Sequence, residues 1–511
     1  MADLQKDSRG LSLSQLAPRG RFIGVSDIRF QACCADWKQC RPGDLYVAIE
    51  SAQQDGHDFI DGAIKNGATA VLAERFLISD VPVCVVDDAR ETYGRICQML
   101  AGDPTGDLKV IGITGTNGKT TIAHLVHAIL SEAGLFSGLM SSLVVDNGFI
   151  RTPAQFDSPG APQLASDLAA MAMNGCSHAV IEVSSKSLAQ KHLAGMQLDA
   201  AIVSNLRRDH LDFHGNVVNY RKAKAQLLDL VSPAGFAVMN ADDAESQKLL
   251  DEIQIPTITV GWNNHAEVTA TILETHRSEQ TFLLHAGNES IPVRTAMIGE
   301  HHVRNCLSAA GVALVMGIDL TTIVRGLESV TRLSGRLERV ECGQPFGVFV
   351  DYAQTPDQLA TSLKTLRKHY SGNLFCVYGS AAEDAQYHGP WMGKLLERAC
   401  DRPIITGANE SPRQSLRKAH QLLDGFERPA KAHLIPDREA AICYALEQAY
   451  ANDCVLIAGQ GEKPSWLSQE NGLPLQDRQI CEQWLYQVGA HKAYSQPEPQ
   501  VMSYRIQDYQ F

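Results

Sequence analysis

A chain of 511 residues has room for about two to four domains, each able to bury a core of its own. The formal net charge of −13 excludes nucleic acid or an anionic membrane as the main partner, since both demand basic surface, but it does not exclude a local phosphate site. No apolar run approaches the ~18 residues of a membrane span, and Met1 to Arg21 lacks the apolar core of a signal peptide, so a cytoplasmic protein is expected.

The first 105 residues read as a small α/β domain. Asp44 to Ile49 follows the Pro42-Gly43 turn as a strand, Phe59 to Asn66 is a helix closed by Gly67, and Ala70 to Ala73 is the next strand. Of the 13 cysteines only Cys33, Cys34 and Cys40 cluster. They show neither a C-x-x-C nor a paired histidine spacing, so reduced core thiols are expected rather than a zinc site. The turn cluster Gly102 to Gly106 marks the first boundary.

A second domain, 106–331, alternates strand and helix. Its centre is Thr114-Gly-Thr-Asn-Gly-Lys-Thr-Thr121. The apolar β-branched run Leu108 to Ile113 predicts a buried parallel strand. Gly115 and Gly118 let the backbone turn tightly, and the apolar spacing from Ile122 to Leu130 predicts a helix opening at Thr120 and ending before Gly134. A glycine turn between a buried strand and a helix N-terminus is a phosphate site, because the orphan N–H groups and the helix dipole favour an anion. Lys119 adds a point charge, and the Thr120 hydroxyl is placed to reach Mg²⁺. The spacing Gly115-x-x-Gly118-Lys-Thr is two residues shorter than the common phosphate loop.

Further strands are expected at Ser177 to Val183, Asp199 to Val203 and Phe236 to Met239, with a helix from Tyr220 to Val231. This alternation implies a mostly parallel sheet. Thr257 to Thr295 reads as a small antiparallel patch, and His301 to Gly317 as a helix. In such a sheet the strand C-termini form the ligand crevice, so Glu182 stands where a carboxylate can hold Mg²⁺. Taken singly, Glu182 also reads as a helix cap and His210 as a turn residue. Asp209, His210, Asp212 and His214 together just after a strand argue for a site. The third domain, 332–511, has four apolar strands, Gly347 to Val350, Leu374 to Tyr378, Arg402 to Ile405 and Cys454 to Ala458, which imply a second doubly wound, Rossmann-like unit before a polar tail.

The segments Glu182-Val-Ser-Ser-Lys-Ser-Leu-Ala-Gln190, Ser204-Asn-Leu-Arg-Arg-Asp-His-Leu-Asp-Phe-His-Gly215 and Tyr220-Arg-Lys-Ala-Lys224 closely resemble the Mur ligases, and among them the MurE type. Ser334-Gly-Arg-Leu-Glu338 and Asp351-Tyr-Ala-Gln-Thr-Pro-Asp357 continue the match in the family's order. The resemblance implies three domains: an N-terminal domain that binds a UDP-muramoyl group, a central ATP-binding domain and a C-terminal acceptor domain. It also implies a cytoplasmic monomer that adds an amino acid to a UDP-N-acetylmuramoyl peptide in cell-wall synthesis. By the same resemblance, Thr114, Gly115, Thr116, Asn117, Gly118, Lys119, Thr120, Thr121, Asn305, Arg336 and Asp351 bind ATP. Thr120 and Glu182 hold one Mg²⁺, while His210 and Lys224 serve a second, with Lys224 carbamylated by CO₂ because a protonated lysine has no lone pair for a metal. Lys119, His210 and Lys224 are the catalytic group. Asp157, Ser158, Ser184, Gln190, His192 and Arg413 contact the peptide substrates.

The departures gather in the acceptor half. Gln354 stands for the family's histidine, His192 for its arginine, and the loops 379–393, 407–413 and 459–463 are rewritten. Asp384 replaces an arginine and Lys463 a glutamate, so both charges that would read the zwitterionic end of meso-diaminopimelate are reversed, and poor use of that amino acid is expected. A ligase with an altered acceptor is the favoured reading. The alternative is a non-catalytic relative that binds ATP or a cell-wall precursor as a scaffold or regulator.

Overall fold

The structure is a computed structural model that describes residues 10–51, 54–156, 158–207, 209–262, 265–380, 385–408, 411–463 and 475–487. The polar tail expected at the C-terminus lies outside them, as do Asp157 and Asp384. The chain divides into two compact units, one of Met1–Leu273, Thr281–Thr295 and His301–Val330, the other of Glu274–Gln280, Ala296–Glu300 and Thr331–Phe511. Among the described residues no helix is long and apolar enough to cross a membrane.

The first unit holds two principal sheets. The N-terminal one has five strands in the order Arg21–Ile23, Val83–Val85, Ala70–Ala73, Leu45–Val47 and Cys33–Cys34, the last four parallel. The helix Ala89–Leu100 fastens it to the rest of the unit. Gly94 on that helix faces the backbone of Lys191 so closely that a Cβ would lie 2.7 Å from the Lys191 carbonyl oxygen. Cys97 packs there with Ala161 and Ala165 of the helix Ala161–Met173.

The large sheet has eleven strands. Its parallel heart runs Ser137–Met140, His178–Glu182, Lys109–Thr114, Leu198–Val203, Val231–Asn240 and Thr257–Gly261. Four of these strands, at Lys109–Thr114, His178–Glu182, Leu198–Val203 and the second half of Val231–Asn240, are the apolar runs expected, because helices cover both faces; Ser137–Met140 was not expected, and Thr257–Gly261 was read as part of an alternating patch. Two expectations need correction. The helix placed at Tyr220 to Val231 is Val217–Ala225: Asn216 caps it by accepting the Asn219 N–H at 2.9 Å, and Val231 already begins a strand. The patch expected to be antiparallel from Thr257 to Thr295 begins on a parallel strand. Thr257–Gly261 pairs in parallel with Val231–Asn240, and Val268–Thr275, Gln280–Ala286 and Glu289–Thr295 extend the same sheet, so alternation there marks an edge with one solvated face.

The second unit carries a six-stranded sheet in the order Glu338–Arg339, Gly347–Asp351, Cys454–Ala458, Leu374–Tyr378, Arg402–Ile405 and His433–Leu434. Its four central strands are those expected, and all but the first pairing are parallel. Arg438, only 1% exposed, sits below their C-terminal ends. Its guanidinium donates to both Asp477 carboxylate oxygens at 2.7 Å and to the carbonyls of Gly379 at 3.3 Å and Ala458 at 3.2 Å. Removing one partner strands a buried charge, so Asp477→Ala is expected to destabilise the protein by about 3–5 kcal/mol in a denaturant melt. A loss under ~1 kcal/mol, the usual worth of a surface pair, would contradict this.

Candidate functional site

The strand Lys109–Thr114 lies between His178–Glu182 and Leu198–Val203, with Ile113 in register with Glu182 and Thr114 with Val203. The three chains therefore leave the sheet side by side, and the loops beyond the three strands meet at one edge. The turn after the first strand has Gly115 at φ +150° and Gly118 at φ +90°. A Cβ at Gly115 would lie 1.9 Å from Ser204 Oγ, and one at Gly118 would lie 2.3 Å from Asn305 Oδ1, so both positions require glycine. The helix Lys119–Glu132 begins directly after Gly118, which sets the positive end of its dipole at the turn.

The segment after Leu198–Val203 braces this turn. Asn205 accepts the Asn117 N–H at 3.0 Å and donates back to the Asn117 carbonyl at 3.0 Å, and Ser204 Oγ donates to that carbonyl at 2.7 Å. Thr116 Oγ1 accepts the Arg207 N–H at 2.9 Å and lies 2.8 Å from the Tyr220 hydroxyl. Asn205, Ser204 and Tyr220 were not assigned these roles from sequence. The signals for them are their place in the segments that resemble the family and their position, at the C-terminal end of a parallel strand or on the helix beyond it.

Lys119 and Lys224 both reach the turn. Lys119 Nζ donates to the carbonyls of Gly115 at 3.1 Å and Thr116 at 3.2 Å. Lys224 is 2% exposed; its Nζ donates to the Gly115 carbonyl at 2.7 Å and lies 5.0 Å from the centre of the Tyr220 ring. Burial, and then the Lys119 charge, hold the Lys224 ammonium well below its ordinary 10.5, against the pull of Asp209 and Glu182. The amine is thus driven toward its neutral, nucleophilic form.

The residues expected to hold Mg²⁺ beside the turn offer oxygens. Thr120 Oγ1 lies 3.0 Å from Ser142 Oγ, and Glu182 Oε2 accepts the Ser142 N–H at 2.9 Å. A hydroxyl and a carboxylate at the end of the sheet suit a hard cation. Ser142 also escaped the sequence reading, although it lies just past the end of the strand Ser137–Met140.

His210 has φ +48°, an uncommon conformation for a residue with a side chain, and its ring lies 3.6 Å from Asp209 Oδ2. Burial, then the charges of His210 and Lys224, depresses His214 to about 4. His214 is accordingly neutral near pH 7, 3.0 Å from Ser185 Oγ.

The residues expected to meet the peptide gather around the helix Ser185–Ala189. Ser158 Oγ donates to Ser184 Oγ at 2.6 Å, His192 Nδ1 lies 3.0 Å from the Pro159 carbonyl, and Gln190 ends the helix. A cavity of about 190 Å³ opens beside them, lined among others by Ser141, Phe156, Pro159, Asp167, Glu182 and Ser187. Burial raises the Asp167 carboxyl. Thr121 is buried in the first turn of the helix Lys119–Glu132, and Arg336, Asp351 and Arg413 belong to the second unit. Arg336 packs 4.7 Å from the centre of the Tyr352 ring and bonds Glu462 at 3.3 Å. Buried Asp351 accepts from the Leu337 N–H at 3.3 Å and from the Ser362 hydroxyl, and burial raises it. Arg413 is exposed in the first turn of the helix Pro412–Leu423.

Three family models match the chain: "Mur ligase family, catalytic domain" over residues 33–93, "Mur ligase middle domain" over 113–313, and "Mur ligase, glutamate ligase domain" over 335–461. The chain is similar to the UDP-N-acetylmuramoyl-L-alanyl-D-glutamate–2,6-diaminopimelate ligase of Syntrophomonas wolfei, 33% identical over 468 residues, which is 90% of this chain and 96% of that one. It is 35% identical over 456 residues to the enzyme of the same name from Geobacillus thermodenitrificans, covering 87% and 93% of the two chains. A solved structure of a ligase of that name superposes with a TM-score of 0.66 at 27% identity, over 95% of this chain and 100% of the other.

The buried Lys224 has a measurable consequence. Its native value is depressed, so between that value and 10.5 the unfolded chain binds the extra proton and stability rises with pH. In CO₂-free buffer, Lys224→Met is expected to flatten the rise in unfolding free energy across this window. Equal pH slopes for the two proteins would show that the lysine is solvated rather than buried.

Proposed function

Because this chain belongs to the Mur ligase family, we propose that it is an ATP- and Mg²⁺-dependent amide ligase that joins an amino acid to a UDP-N-acetylmuramoyl dipeptide in peptidoglycan precursor synthesis. The observation that carries the reading is the grouping of Lys119, Thr120, Glu182 and buried Lys224 at the end of one parallel strand and its neighbours. We take the domains to run 1–105, 106–331 and 332–511, and the protein to be a cytoplasmic monomer.

The reaction transfers the γ-phosphoryl group of ATP to the dipeptide carboxylate. The amine of the incoming amino acid then attacks the acyl phosphate, and phosphate leaves from the tetrahedral intermediate. The protein's part is positioning and charge neutralisation. Lys119 now rests on the carbonyls of its own turn, within reach of phosphate oxygens that compete for the same N–H groups. Thr120 and Glu182 supply the oxygens for Mg²⁺, which draws charge from the phosphate oxygens when bound. Ser158, Ser184, Gln190 and His192 form the wall that holds the peptide.

Lys224 takes part as a carbamate. Its neutral Nζ attacks CO₂, a C–N bond forms and a proton leaves, which turns a neutral amine beside Lys119 into an anion. The Lys119 charge favours that anion, whose oxygen, with His210, would hold a second Mg²⁺.

Three outcomes are expected. Lys119→Ala should lower ATP-dependent turnover about 10²- to 10³-fold, and near-normal ATP turnover by that variant would overturn the phosphate-site assignment. Lys224→Ala should lose activity and regain part of it when short carboxylic acids are added to the assay; a variant as active as wild type in CO₂-free buffer would sink the carbamate. The third outcome concerns the acceptor. The relatives are named for diaminopimelate, whereas here Asp384 and Lys463 reverse the charges expected to read it, and Lys463 bonds the Tyr352 hydroxyl at 3.2 Å. In a panel of amino acids, meso-diaminopimelate should be outperformed by another acceptor. Its ranking first would refute the charge argument and leave the ligase reading intact.

A further inference from the structure

Away from the phosphate site, two thiols and a carboxylate meet in the N-terminal sheet. Cys34, Cys40 and Asp44 bring their ligand atoms within 4.8 Å of one another. Cys34 is the second residue of the edge strand Cys33–Cys34 and pairs with Tyr46. Cys40 closes the short helical turn Trp37–Gln39, and Asp44 immediately precedes the strand Leu45–Val47. One Asp44 oxygen accepts the Arg41 N–H at 2.8 Å. Cys40 and Asp44 are 7% and 8% exposed, whereas Cys34 is half-buried, so the group is rigidly backed and open on one side.

We propose that these three residues form a binding site for a thiolate-preferring divalent cation, Zn²⁺ foremost, with water as the fourth ligand. Ligands 2.0–2.3 Å from a tetrahedral ion lie roughly 3.3–3.8 Å apart, so small side-chain rotations close the site from its present spread. Two sulfurs select against Mg²⁺ and Ca²⁺, which take oxygen ligands. Binding releases two thiol protons and leaves two thiolates, one carboxylate and one dication. Cysteine spacing alone argued against a metal here. The third ligand is an aspartate contributed by the adjoining strand, and cysteine counting does not register it.

The ion fastens the segment from Cys34 to Asp44. That segment carries Asp36, Trp37 and Lys38, with the Trp37 ring stacked on Phe59 at 5.8 Å and 6°. The site is therefore structural: it stiffens a loop at the edge of the N-terminal sheet.

The test uses untagged full-length protein purified under reducing conditions. Zinc content is measured by mass spectrometry, and the chelator-treated protein is titrated with Co²⁺ and followed by the thiolate-to-cobalt charge-transfer absorption. One Co²⁺ per chain is expected to give that band, Zn²⁺ should displace it, and Zn²⁺ should raise the melting temperature. Cys34→Ser and Cys40→Ser should abolish both signals, and Asp44→Asn should weaken Co²⁺ binding by at least the ~10-fold that loss of an outer partner costs. The phosphate site cannot mimic the band, because its donors are oxygen and nitrogen. Absence of the band in wild type overturns the proposal whether or not the variants fold. So does a band that survives both cysteine substitutions, or a Cys34–Cys40 disulfide in the reduced preparation.

Discussion

The geometry of the first unit rests on the parallel register of three strands. Ile113 faces Glu182 on one side, and Thr114 faces Val203 on the other. Parallel pairing sends all three chains out of the sheet in the same direction, so a phosphate turn, a carboxylate and the Ser204–His214 segment emerge together. A slip of one residue in either pairing would turn every side chain of that strand to the opposite face. It would also break the two-way amide contact between Asn117 and Asn205.

Around that frame the protein concentrates positive charge where it is least comfortable. Lys224 is almost wholly buried, with Lys119 acting on the same turn, and its direct relief comes from neutral carbonyl and hydroxyl oxygens and the face of Tyr220. A fold selected for stability alone would place an apolar residue there. Arrangements of this kind gather at functional sites, because a depressed lysine and an uncompensated field serve an anionic ligand. The left-handed backbone of His210 and the neutral His214 belong to the same strained neighbourhood.

The second unit separates frame from variation in a similar way. Arg438 binds the carbonyls of Gly379 and Ala458, the points where two adjacent strands give way to rewritten loops. The strands and the buried ion pair with Asp477 define where those loops begin, while the loop residues are free to change charge. A departure from the family pattern in such a loop leaves the sheet beneath it intact.

From the sequence alone the fold class, the glycine turn between strand and helix, and most of the central strands were legible, Ser137–Met140 and the parallel pairing of Thr257–Gly261 excepted. Buried parallel strands are unbroken apolar runs, and glycine before a lysine at a helix start has few other uses. Spacing and family resemblance pointed to Lys119, Thr120, Glu182 and Lys224, and the structure brings these four side chains to one edge of the sheet. The tertiary structure decided what local pattern cannot carry. It placed Asn216 as the cap that shifts the helix of Lys224 to Val217–Ala225, and it joined the edge hairpins to the main sheet. It also joined Asn205 and Tyr220 to the glycine turn and Ser142 to Glu182, and brought Asp44 beside Cys34 and Cys40. Each of these depends on which strands lie side by side, and the pairing of residues 60 to 100 positions apart is set by packing, which no window of the sequence contains.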